Sequence, residues 1–335
     1  MQQNSQNKAF DDIQKDYGVG EYFFKHYAGQ WFGTENVSQE QLNKVRNNPL
    51  TNTWFSYGLS TNQRGRWFAQ CMLQYMSKNP KRYLDVGCGY GGFMVAFHEI
   101  GLDVYGFDLD SRLVAFSKSN LKDFGVDSGR VQIGDILNTE FLAHLKTFDI
   151  ITANDVIEHV NDVDLALKHM AGLLNPSGIL LLQIPNKDYV GFISKDGHYH
   201  LFGITLLRRK DAKKYYQMVF GDDYTVGEYY EIDYYINKLS QYNCYATLLP
   251  PIYAQKGIVP ILMGFLITFP GLIYFWLKSN KPVFSMKLLV TVNYFGYVIA
   301  FLVDGFLSLL SKEKKEAFRI KYTRDFWLIM ATKRQ

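Results

Sequence analysis

Cysteine and net charge are both scarce in this 335-residue chain. Its three cysteines, Cys71, Cys88 and Cys244, lie far apart, so they predict neither a disulfide framework nor a zinc site and favour a reducing compartment. The formal net charge is only +4 and no long basic run occurs, so a nucleic acid is not an expected partner. Residues 1–8 lack the basic and apolar zones of a signal peptide, so we do not expect secretion.

A glycine-rich stretch, YLDVGCGYGG at residues 83–92, follows a short apolar run and precedes an apolar helical pattern. This order predicts a strand, a tight turn and a helix. Gly87, Gly89 and Gly91 allow positive φ angles and the close approach of a ligand to the main chain. The next predicted strand ends in Asp108, about 20 residues past the turn, where a carboxylate can accept hydrogen bonds from both hydroxyl groups of a ribose. The two features together predict a site for a cofactor that contains a nucleoside.

An acidic residue before the glycines helps to choose among such cofactors. Asp85 lies two residues before Gly87, a spacing that differs from the GxGxxG fingerprint of dinucleotide sites. A carboxylate repels a phosphate and attracts an ammonium group, so the position favours a cofactor that carries an ammonium group. The pattern resembles motif I of class I S-adenosylmethionine-dependent methyltransferases.

Three further segments of that family's pattern follow in order. Gly134 and Asp135 match the loop after the third strand, residues 148–160 match the fourth strand and its loop, and residues 173–186 match the fifth strand. The resemblance covers about residues 81–186 and, more weakly, the last ten residues. It implies S-adenosylmethionine as the cofactor, with its amino group near Asp85 and its adenine amino group near Asp135. The cofactor-binding positions that it implies are Asp85, Gly87, Cys88, Gly89, Gly91, Asp108, Leu109, Asp135, Ile136 and Asn154.

Short apolar runs alternate with helical patterns from residue 81 onward, which predicts a mostly parallel sheet with helices on both faces. The resemblance extends this to the Rossmann-like α/β fold of class I methyltransferases, with seven strands of which the seventh is antiparallel between the fifth and sixth. Ligands of such sheets bind at the carboxyl ends of the strands, where the predicted acids and Asn154 all lie. The predicted strands are residues 83–86, 104–107, 131–133, 150–153, 179–184, 244–249 and 326–332.

Four parts of the chain follow from these assignments. Residues 1–80 are an N-terminal helical segment that either covers the cofactor cleft or packs on the flank of the sheet, and within it a short helix is expected to stop at Pro49. Residues 81–251 are the methyltransferase core. Residues 252–325 are an apolar, membrane-associating hairpin insertion, and residues 326–335 are the last core strand and tail.

Methyl transfer to a hydroxyl group requires a base, and His159 is the best-placed candidate because it follows the fourth strand with Asp155 and Glu158 nearby. NDVIEH resembles the EVLEH-type segment of ubiquinone-biosynthesis O-methyltransferases and of many glycan or small-molecule relatives. In some of those relatives the two acids and the histidine bind a divalent cation, and in others no such role is established. Both alternatives stay open for these three residues, and we assign no metal ligand.

A second pair of histidines, His198 and His200, follows the fifth strand in DGHYHLFG. Histidines two residues apart would point the same way if the stretch is extended, and either could act as a base or a ligand. A surface loop rich in histidine and tyrosine is an equally good interpretation. The candidate catalytic residues are therefore His159, Glu158, His198 and His200.

Two groups of basic residues have no assigned role. Arg64 and Arg66 begin a predicted amphipathic helix, where they are solvated or meet an anionic substrate group. Residues 206–216 form the one local basic cluster, either as a solvated helix face or as a contact for phosphate headgroups, and we favour the second.

Two long apolar segments lie between the sixth and seventh predicted strands. Residues 258–277 contain no charged residue, and residues 288–310 contain Asp304 alone. Twenty apolar residues can cross a hydrocarbon core of about 30 Å, and neither segment has the polar face of a helix that lies on a soluble domain. Proline in the first segment, Asp304 in the second and lysines around both favour a monotopic, interfacial hairpin over two full spans. These lysines are Lys256, Lys278, Lys281, Lys287, Lys312, Lys314 and Lys315.

The sequence therefore predicts a membrane-associated S-adenosylmethionine-dependent methyltransferase on the cytoplasmic side of a membrane. Its acceptor is expected to be a hydrophobic or lipid-linked small molecule that is methylated on oxygen, and its contact with the membrane surface is expected at residues 258–310. One alternative is a soluble small-molecule methyltransferase in which the hairpin is a lid or a dimer interface. The other is a non-catalytic membrane adaptor that keeps the fold.

Overall fold

The computed structural model describes residues 2–76, 79–252 and 258–335, and within these residues seven strands form one sheet. The strands are β1 Arg82–Val86, β2 Asp103–Asp108, β3 Val131–Ile133, β4 Phe148–Asn154, β5 Leu174–Pro185, β6 Cys244–Leu248 and β7 Phe326–Lys333. The first helices are α1 Gln2–Tyr17, α2 Glu21–Phe32, α3 Gln39–Arg46, α4 Pro49–Leu59, α5 Thr61–Met72, α6 Gly92–Glu99, α7 Ser111–Asp123 and α8 Thr139–Ala143. They are followed by α9 Val163–Gly172, α10 Val190–Ser194, α11 Arg209–Phe220, α12 Ile232–Gln241, α13 Ile258–Lys278, α14 Phe284–Leu307 and α15 Lys312–Tyr322.

The strand order of the sheet is β3-β2-β1-β4-β5-β7-β6. Neighbouring strands are parallel except at β7, which pairs antiparallel with both β5 and β6. The predicted fold class is therefore confirmed: this is a Rossmann-like α/β fold with a seven-stranded, mostly parallel sheet. The register of β1 places Asp85 beside Gly106 of β2 and Thr152 of β4, which brings the ends of three strands together.

Helices cover both faces of the sheet, as the apolar runs predict. Tyr83 of β1 packs on one face with Phe68 of α5, and the next residue, Leu84, packs on the other face with Ala166 of α9. Successive side chains of a strand point to opposite faces, so a strand that is buried on both sides is apolar at every position.

The N-terminal helices form an aromatic cluster that packs against α7. Phe23 and Tyr27 of α2 stack at 5.6 Å, and both contact the ring of Phe116. The short helix predicted to stop at Asn47, Asn48 and Pro49 is α3, which ends at Arg46. Pro49 then begins α4, since proline suits the first helical position, where the missing N–H would have no partner.

Two apolar helices, α13 and α14, form the insertion before β7 and lie along the domain. Phe275 of α13 and Val290 of α14 are buried against Tyr215 of α11. At the turn between the two helices, Lys281 Nζ donates to the carbonyl oxygen of Val219 on α11. The sequence predicts that neither helix has a polar face; in the structure each helix nevertheless lies on the domain, through one of its apolar faces. Lys256, which precedes α13, lies outside the described residues.

The opposite face of this hairpin is exposed and also apolar. Within the described residues, one helix, Phe284–Leu307, is long and apolar enough to cross a membrane, and 28% of its most apolar stretch is buried. Asp304 at its end does not face this surface, since it accepts hydrogen bonds from Lys321 and Tyr322 of α15. The exposed apolar residues on the hairpin are Leu266, Phe269, Ile273, Tyr274, Leu277, Phe284, Leu288, Val292, Phe295, Ile299, Leu302, Val303 and Phe306.

Candidate active site

A cavity of about 450 Å³ lies at the carboxyl ends of β1, β2 and β4. All of the predicted cofactor residues except Gly91 line it. Gly91 is the N-cap residue of α6 and lies behind the glycine turn. The predicted residues that line it are Asp85, Gly87, Cys88, Gly89, Asp108, Leu109, Asp135, Ile136 and Asn154. The fold therefore brings together positions that are up to 70 residues apart in sequence, as expected for a parallel sheet.

The glycine turn has the backbone that its sequence predicts. Gly87 and Gly89 have φ angles of 68° and 53°, which other residues rarely adopt. The N–H groups of Gly87 and Cys88 both donate to the carbonyl oxygen of Phe107, at 2.9 and 3.0 Å. These bonds fasten the turn to the end of β2, so the turn and Asp108 form one rigid wall of the cavity.

The carboxylate of Asp108 uses about half of its capacity to accept hydrogen bonds. Its Oδ2 accepts from the N–H of Gly89 at 2.9 Å, and its Oδ1 accepts from the N–H of Asp110 at 2.9 Å. An ionised carboxylate offers about four lone-pair positions, so about two are left to face the cavity. That is the number needed to accept from the two hydroxyl groups of a ribose.

Asp85 is buried below the glycine turn. Its Oδ1 accepts from the hydroxyl of Thr152 at 2.9 Å, and Thr152 in turn lies 2.6 Å from the hydroxyl of Tyr83. Burial raises the pKa of Asp85 to about 7, and the Thr152 hydroxyl acts in the opposite direction. A positively charged group in the cavity would stabilise the ionised carboxylate, which is costly to bury alone.

Arg64 is a cavity residue whose role the sequence leaves open. Its guanidinium carbon lies 3.9 Å from the centre of the Tyr57 ring, and its Nε is buried without a partner among the described residues. α5 reaches the cavity because Gly65 lies against Gly92 of α6, where a Cβ atom on Gly65 would be 2.3 Å from the Gly92 carbonyl oxygen. Among the lining residues that the structure describes, Arg64 is the only arginine or lysine.

Asn154, at the end of β4, carries a buried amide with unused capacity. Neither its Oδ1 nor its Nδ2 has a hydrogen-bond partner within the described residues, although both atoms are shielded from solvent. A buried amide without partners costs free energy, about 1–3 kcal/mol. Asn154 also lines the cavity, so a ligand with donors and acceptors would satisfy it.

A family model described as "Methyltransferase domain" matches residues 63–247, which is more than half of the chain. The chain belongs to this methyltransferase family. Its core is an S-adenosylmethionine-dependent methyltransferase domain, as the glycine turn and the two acids predict.

Curated relatives are similar over part of this methyltransferase domain. The ubiquinone biosynthesis O-methyltransferase of Rhodopseudomonas palustris (strain BisB5) is 35% identical over 112 residues, which are 33% of this chain and 42% of that protein. The ubiquinone biosynthesis O-methyltransferase of Actinobacillus pleuropneumoniae serotype 7 is 29% identical over 115 residues, 34% of this chain and 49% of that one. The chain thus spans less than half the length of the curated relatives it matches.

Solved structures with a similar chain include a SAM dependent methyltransferase from Archaeoglobus fulgidus. It has a TM-score of 0.47 at 14% identity and covers 81% of this chain and 94% of its own. Phosphoethanolamine N-methyltransferase 2 of Haemonchus contortus has a TM-score of 0.41 at 17% identity, over 80% of this chain and 52% of its own.

The cavity of the methyltransferase domain fits S-adenosylmethionine. Among its lining residues, the buried Asp85 suits the ammonium group of that cofactor, Asp108 with two free acceptor positions suits the ribose, and Arg64 suits the carboxylate. The buried amide of Asn154, which has no partner among the described residues, can form hydrogen bonds with further polar atoms of a ligand.

A carboxylate and two histidines meet beside the cavity. Glu158 is fully buried, and neither of its oxygens has a hydrogen-bond partner in the part of the chain that the structure describes. Nε2 of His159 and Nε2 of His198 each lie 3.9 Å from Glu158 Oε1, and the two rings are 5.0 Å apart. Burial raises the pKa of Glu158 well above its usual range and lowers the pKa of His159 and of His198, the last to about 4. The neutral forms of all three groups are therefore favoured.

The sequence suggests Asp155, Glu158 and His159 as candidate ligands of a cation, and the cluster in the structure differs from this set. Ligand atoms of Glu158, His159 and His198 all lie within 4.8 Å of one another, and one carboxylate with two imidazoles is a donor set that zinc accepts. Asp155 is not part of this group. It lines the cavity instead, with a strained φ angle of 55° and a pKa that burial raises to about 6.

His200 does not join His198, because the stretch is not extended, which is the condition under which both would point the same way. The loop is not extended: Asp196 accepts hydrogen bonds from the N–H groups of His198, Tyr199 and Leu201, which winds the chain into a turn. His200 has a φ angle of 59°, is exposed and faces the ring of Trp54 at 6.0 Å.

Proposed function

We propose that this protein transfers a methyl group from S-adenosylmethionine to a hydroxyl group of a hydrophobic or lipid-linked acceptor at the cytoplasmic surface of a membrane. The observation that carries the proposal is that a nucleoside-cofactor cavity with a neutral histidine in its wall stands on the same domain as an exposed apolar helical hairpin. The likeness to O-methyltransferases that act in ubiquinone biosynthesis supports oxygen as the acceptor atom.

The cofactor would be held by charge and hydrogen bonds along the ends of three strands. Asp108 accepts from the ribose hydroxyls, Asp85 pairs with the ammonium group, and Arg64 pairs with the carboxylate. Asp135 meets the adenine amino group, with Leu109 and Ile136 against the ring. When bound, the cofactor supplies a methyl group on a positively charged sulfur, which is the electrophile of the reaction.

His159 is the proposed base for the acceptor hydroxyl. Its Nδ1 lies 3.4 Å from the carbonyl oxygen of Thr225, and a carbonyl can only accept, so Nδ1 carries the proton. Nε2 would then take the hydroxyl proton as the acceptor oxygen bonds to the methyl carbon, while the bond from that carbon to the cofactor sulfur breaks and leaves a neutral thioether. Burial lowers the pKa of His159, which keeps the ring neutral near pH 7. Glu158, with Oε1 3.9 Å from Nε2, and His198, with its ring 5.0 Å from that of His159, lie beside this ring and are proposed as positioning residues.

The N-terminal segment is proposed to close one side of the cavity. Tyr57 of α4 and Thr61 and Arg64 of α5 all line it. The aromatic cluster of α2 fastens these helices to α7, so this wall keeps water from the sulfonium and the acceptor.

The exposed face of α13 and α14 is the proposed membrane contact. Exposed apolar surfaces of this extent mark interaction sites, and lysines stand beside this one at Lys278, Lys287 and the start of α15. The turn between the helices is hydrogen-bonded to α11, so the hairpin lies flat rather than pointing away from the domain. That geometry supports an interfacial hairpin over two full spans.

Membrane binding is tested by replacing exposed apolar residues on this face. Ile299→Ser with Phe306→Ser should weaken flotation of the protein with phospholipid vesicles by about tenfold or more, because each buried apolar side chain contributes about 1.5–3 kcal/mol. Leu73→Ser, an exposed leucine outside the hairpin, is the matched control. If the wild-type protein is soluble and sediments as a dimer while the double variant is a monomer, the exposed face is a dimer interface and not a membrane contact.

Activity is tested with labelled cofactor. Methyl transfer from labelled S-adenosylmethionine into the organic phase of a lipid extract, lost in His159→Ala, would support the proposal. Label that enters only polar metabolites would favour a soluble small-molecule methyltransferase. Protein that binds vesicles but not S-adenosylmethionine would favour the adaptor.

A further inference from the structure

A second cavity, of about 570 Å³, lies between α11 and α14, and we call it the α11–α14 cavity. One wall comes from the turn at residues 204–209 that leads into α11, and the opposite wall comes from α14. Arg209 Nη2 donates to Asn161 at 2.7 Å, and Asn161 lines the first cavity, so the two cavities share a wall. Nothing in the proposed methyl transfer uses this second space.

Four basic residues, Lys187, Arg208, Arg209 and Lys321, line the α11–α14 cavity together with the carboxylates of Asp188 and Glu228. The two lysines are already paired with acids, Lys187 with Glu231 at 2.9 Å and Asp188 at 3.0 Å, and Lys321 with Asp304 at 3.1 Å. The positive charge that is left for a ligand therefore comes from the two arginines of the turn wall.

The two arginines of this wall retain binding capacity. The side chain of Arg208 is 90% exposed, and its nearest carboxylate, on Asp211, lies at 3.7 Å. Arg209 uses Nη2 toward a neutral amide, and its Nε is buried without a partner among the described residues. An arginine beside such a space binds a phosphate oxygen well, because its donors match the geometry of the anion.

Thr205 gives an independent indication of a polar ligand. It lines the α11–α14 cavity with only 6% of its surface exposed, and its hydroxyl lacks a hydrogen-bond partner within the described residues. α11 begins four residues after Thr205, and no side chain in the described part of the chain caps its N-terminus. A buried free hydroxyl, a helix N-terminus without a side-chain cap and two arginines with unused donors stand together on one side of the cavity, as at an anion site.

The opposite wall is largely apolar and continues onto the exposed face of the hairpin. Val292, Gly296 and Ala300 of α14 line the cavity, and Val292 belongs to the exposed apolar surface proposed to contact the membrane. The polar groups of this wall, on Asn293 and Tyr297, already donate to backbone carbonyl oxygens. A free phosphate ion would leave this wall without a partner. A ligand with a phosphate group and a hydrocarbon chain satisfies both walls.

We propose that the α11–α14 cavity binds the phosphate group of an anionic phospholipid, with the acyl chains along α14. Thr205, Arg208 and the first turn of α11 donate to the phosphate oxygens, and Arg209 completes the positive wall. The inference rests on the proposed membrane contact and adds to it a specific headgroup site, which would place the shared wall of the two cavities at the depth of the lipid phosphates.

The test uses full-length protein and a water-soluble lipid, dihexanoyl phosphatidic acid, in titration calorimetry. Thr205→Val and Arg208→Gln should each weaken its binding by about tenfold, because each removes a hydrogen bond to a charged group. Valine replaces an unpartnered buried hydroxyl with a group of the same shape, so this variant should fold normally. Lys214→Gln makes the same charge change as Arg208→Gln on an exposed position of α11 and should stay within about twofold of wild type.

Three outcomes separate this inference from the proposed function. Equal affinity of wild type, Thr205→Val and Arg208→Gln for the lipid would overturn the headgroup site. Inorganic phosphate that binds as tightly as dihexanoyl phosphatidic acid would also overturn it, because the apolar wall would then contribute nothing. Specific binding of the soluble lipid by protein that does not float with vesicles would support the headgroup site and refute the membrane contact.

Discussion

Replacing Asp108 with asparagine turns one acceptor oxygen of the cofactor cavity into an NH2 group that cannot accept. In the protein, Oδ2 of Asp108 accepts from the Gly89 N–H and Oδ1 accepts from the Asp110 N–H, both at 2.9 Å. The asparagine keeps one oxygen with two lone pairs for four donors, namely these two N–H groups and two ribose hydroxyls. One backbone N–H and one hydroxyl must therefore lose their partner.

The two losses affect different measurements. A lost hydrogen bond from a ribose hydroxyl to a charged acceptor costs about 1.5–3 kcal/mol and is felt only when the cofactor binds. The Kd for S-adenosylmethionine should therefore rise by about 10- to 150-fold. The backbone N–H that loses its partner, on Gly89 or Asp110, lacks it in free and bound protein alike, so it should lower the free energy of unfolding by about 1–3 kcal/mol without entering the Kd.

Titration calorimetry with S-adenosylmethionine measures the first effect, and urea unfolding of the free protein measures the second. Asp103→Asn is the matched control, because Asp103 begins the same strand at the opposite end and pairs with Arg130 at 3.0 Å on the surface. A Kd for Asp108→Asn within about twofold of wild type, in folded protein, would refute the assignment of Asp108 to the ribose.

Three other perturbations test the remaining parts of the site. His159→Ala should abolish methyl transfer while the Kd for the cofactor changes by less than about threefold, with the exposed His144→Ala as control; full activity would retire His159 as the base. Affinity for S-adenosylmethionine should increase between about pH 6 and about pH 7.5, because Asp85, with its pKa raised to about 7 by burial, must lose a proton to pair with the ammonium group; Asp85→Asn should flatten this dependence, and a flat wild-type profile would contradict it. Glu158→Gln should raise Tm at about pH 8 but not at about pH 4, since burial raises the pKa of Glu158 and the folded state then loses stability as pH rises above the unfolded pKa. A lower Tm in that variant, matched by a lower wild-type Tm in EDTA, would instead reveal a bound cation.

The sheet and most of the cofactor cavity could be predicted because their signals are local. The central strands β1, β4 and β5 are buried on both faces and are therefore mostly apolar runs, and the polar residues Asp108 and Asn154 stand at the carboxyl ends of β2 and β4. Parallel pairing then brings those ends to one edge without any knowledge of side-chain packing.

Arg64 and the histidine pair could not be placed in this way. Arg64 reaches the cavity because Gly65 and Gly92, which are 27 residues apart, allow two helices to touch, and no local pattern encodes that contact. His198 and His200 diverge because the carboxylate of Asp196 winds the loop into a turn, although Asp-Gly before the histidines is a turn signal that could have been used.

The orientation of the hairpin also lay beyond the sequence. A helix that is apolar on all sides does not indicate which face meets protein and which faces outward. Contacts of Phe275 and Val290 with the domain decide it in the structure.

The position of β7 has a consequence for how the protein is made. β7 lies between β5 and β6 in the sheet, yet α13 and α14 precede it in the chain. During synthesis the hairpin therefore emerges while β5 and β6 still have unpaired edges, for several seconds at ordinary rates of about 5–20 residues per second. An early capture of the hairpin at a membrane would shield its apolar face during that interval, and the sheet would then close at the membrane surface rather than in free solution. If the hairpin binds a membrane in this way, the order of the strands in the chain would couple the targeting of this protein to its translation.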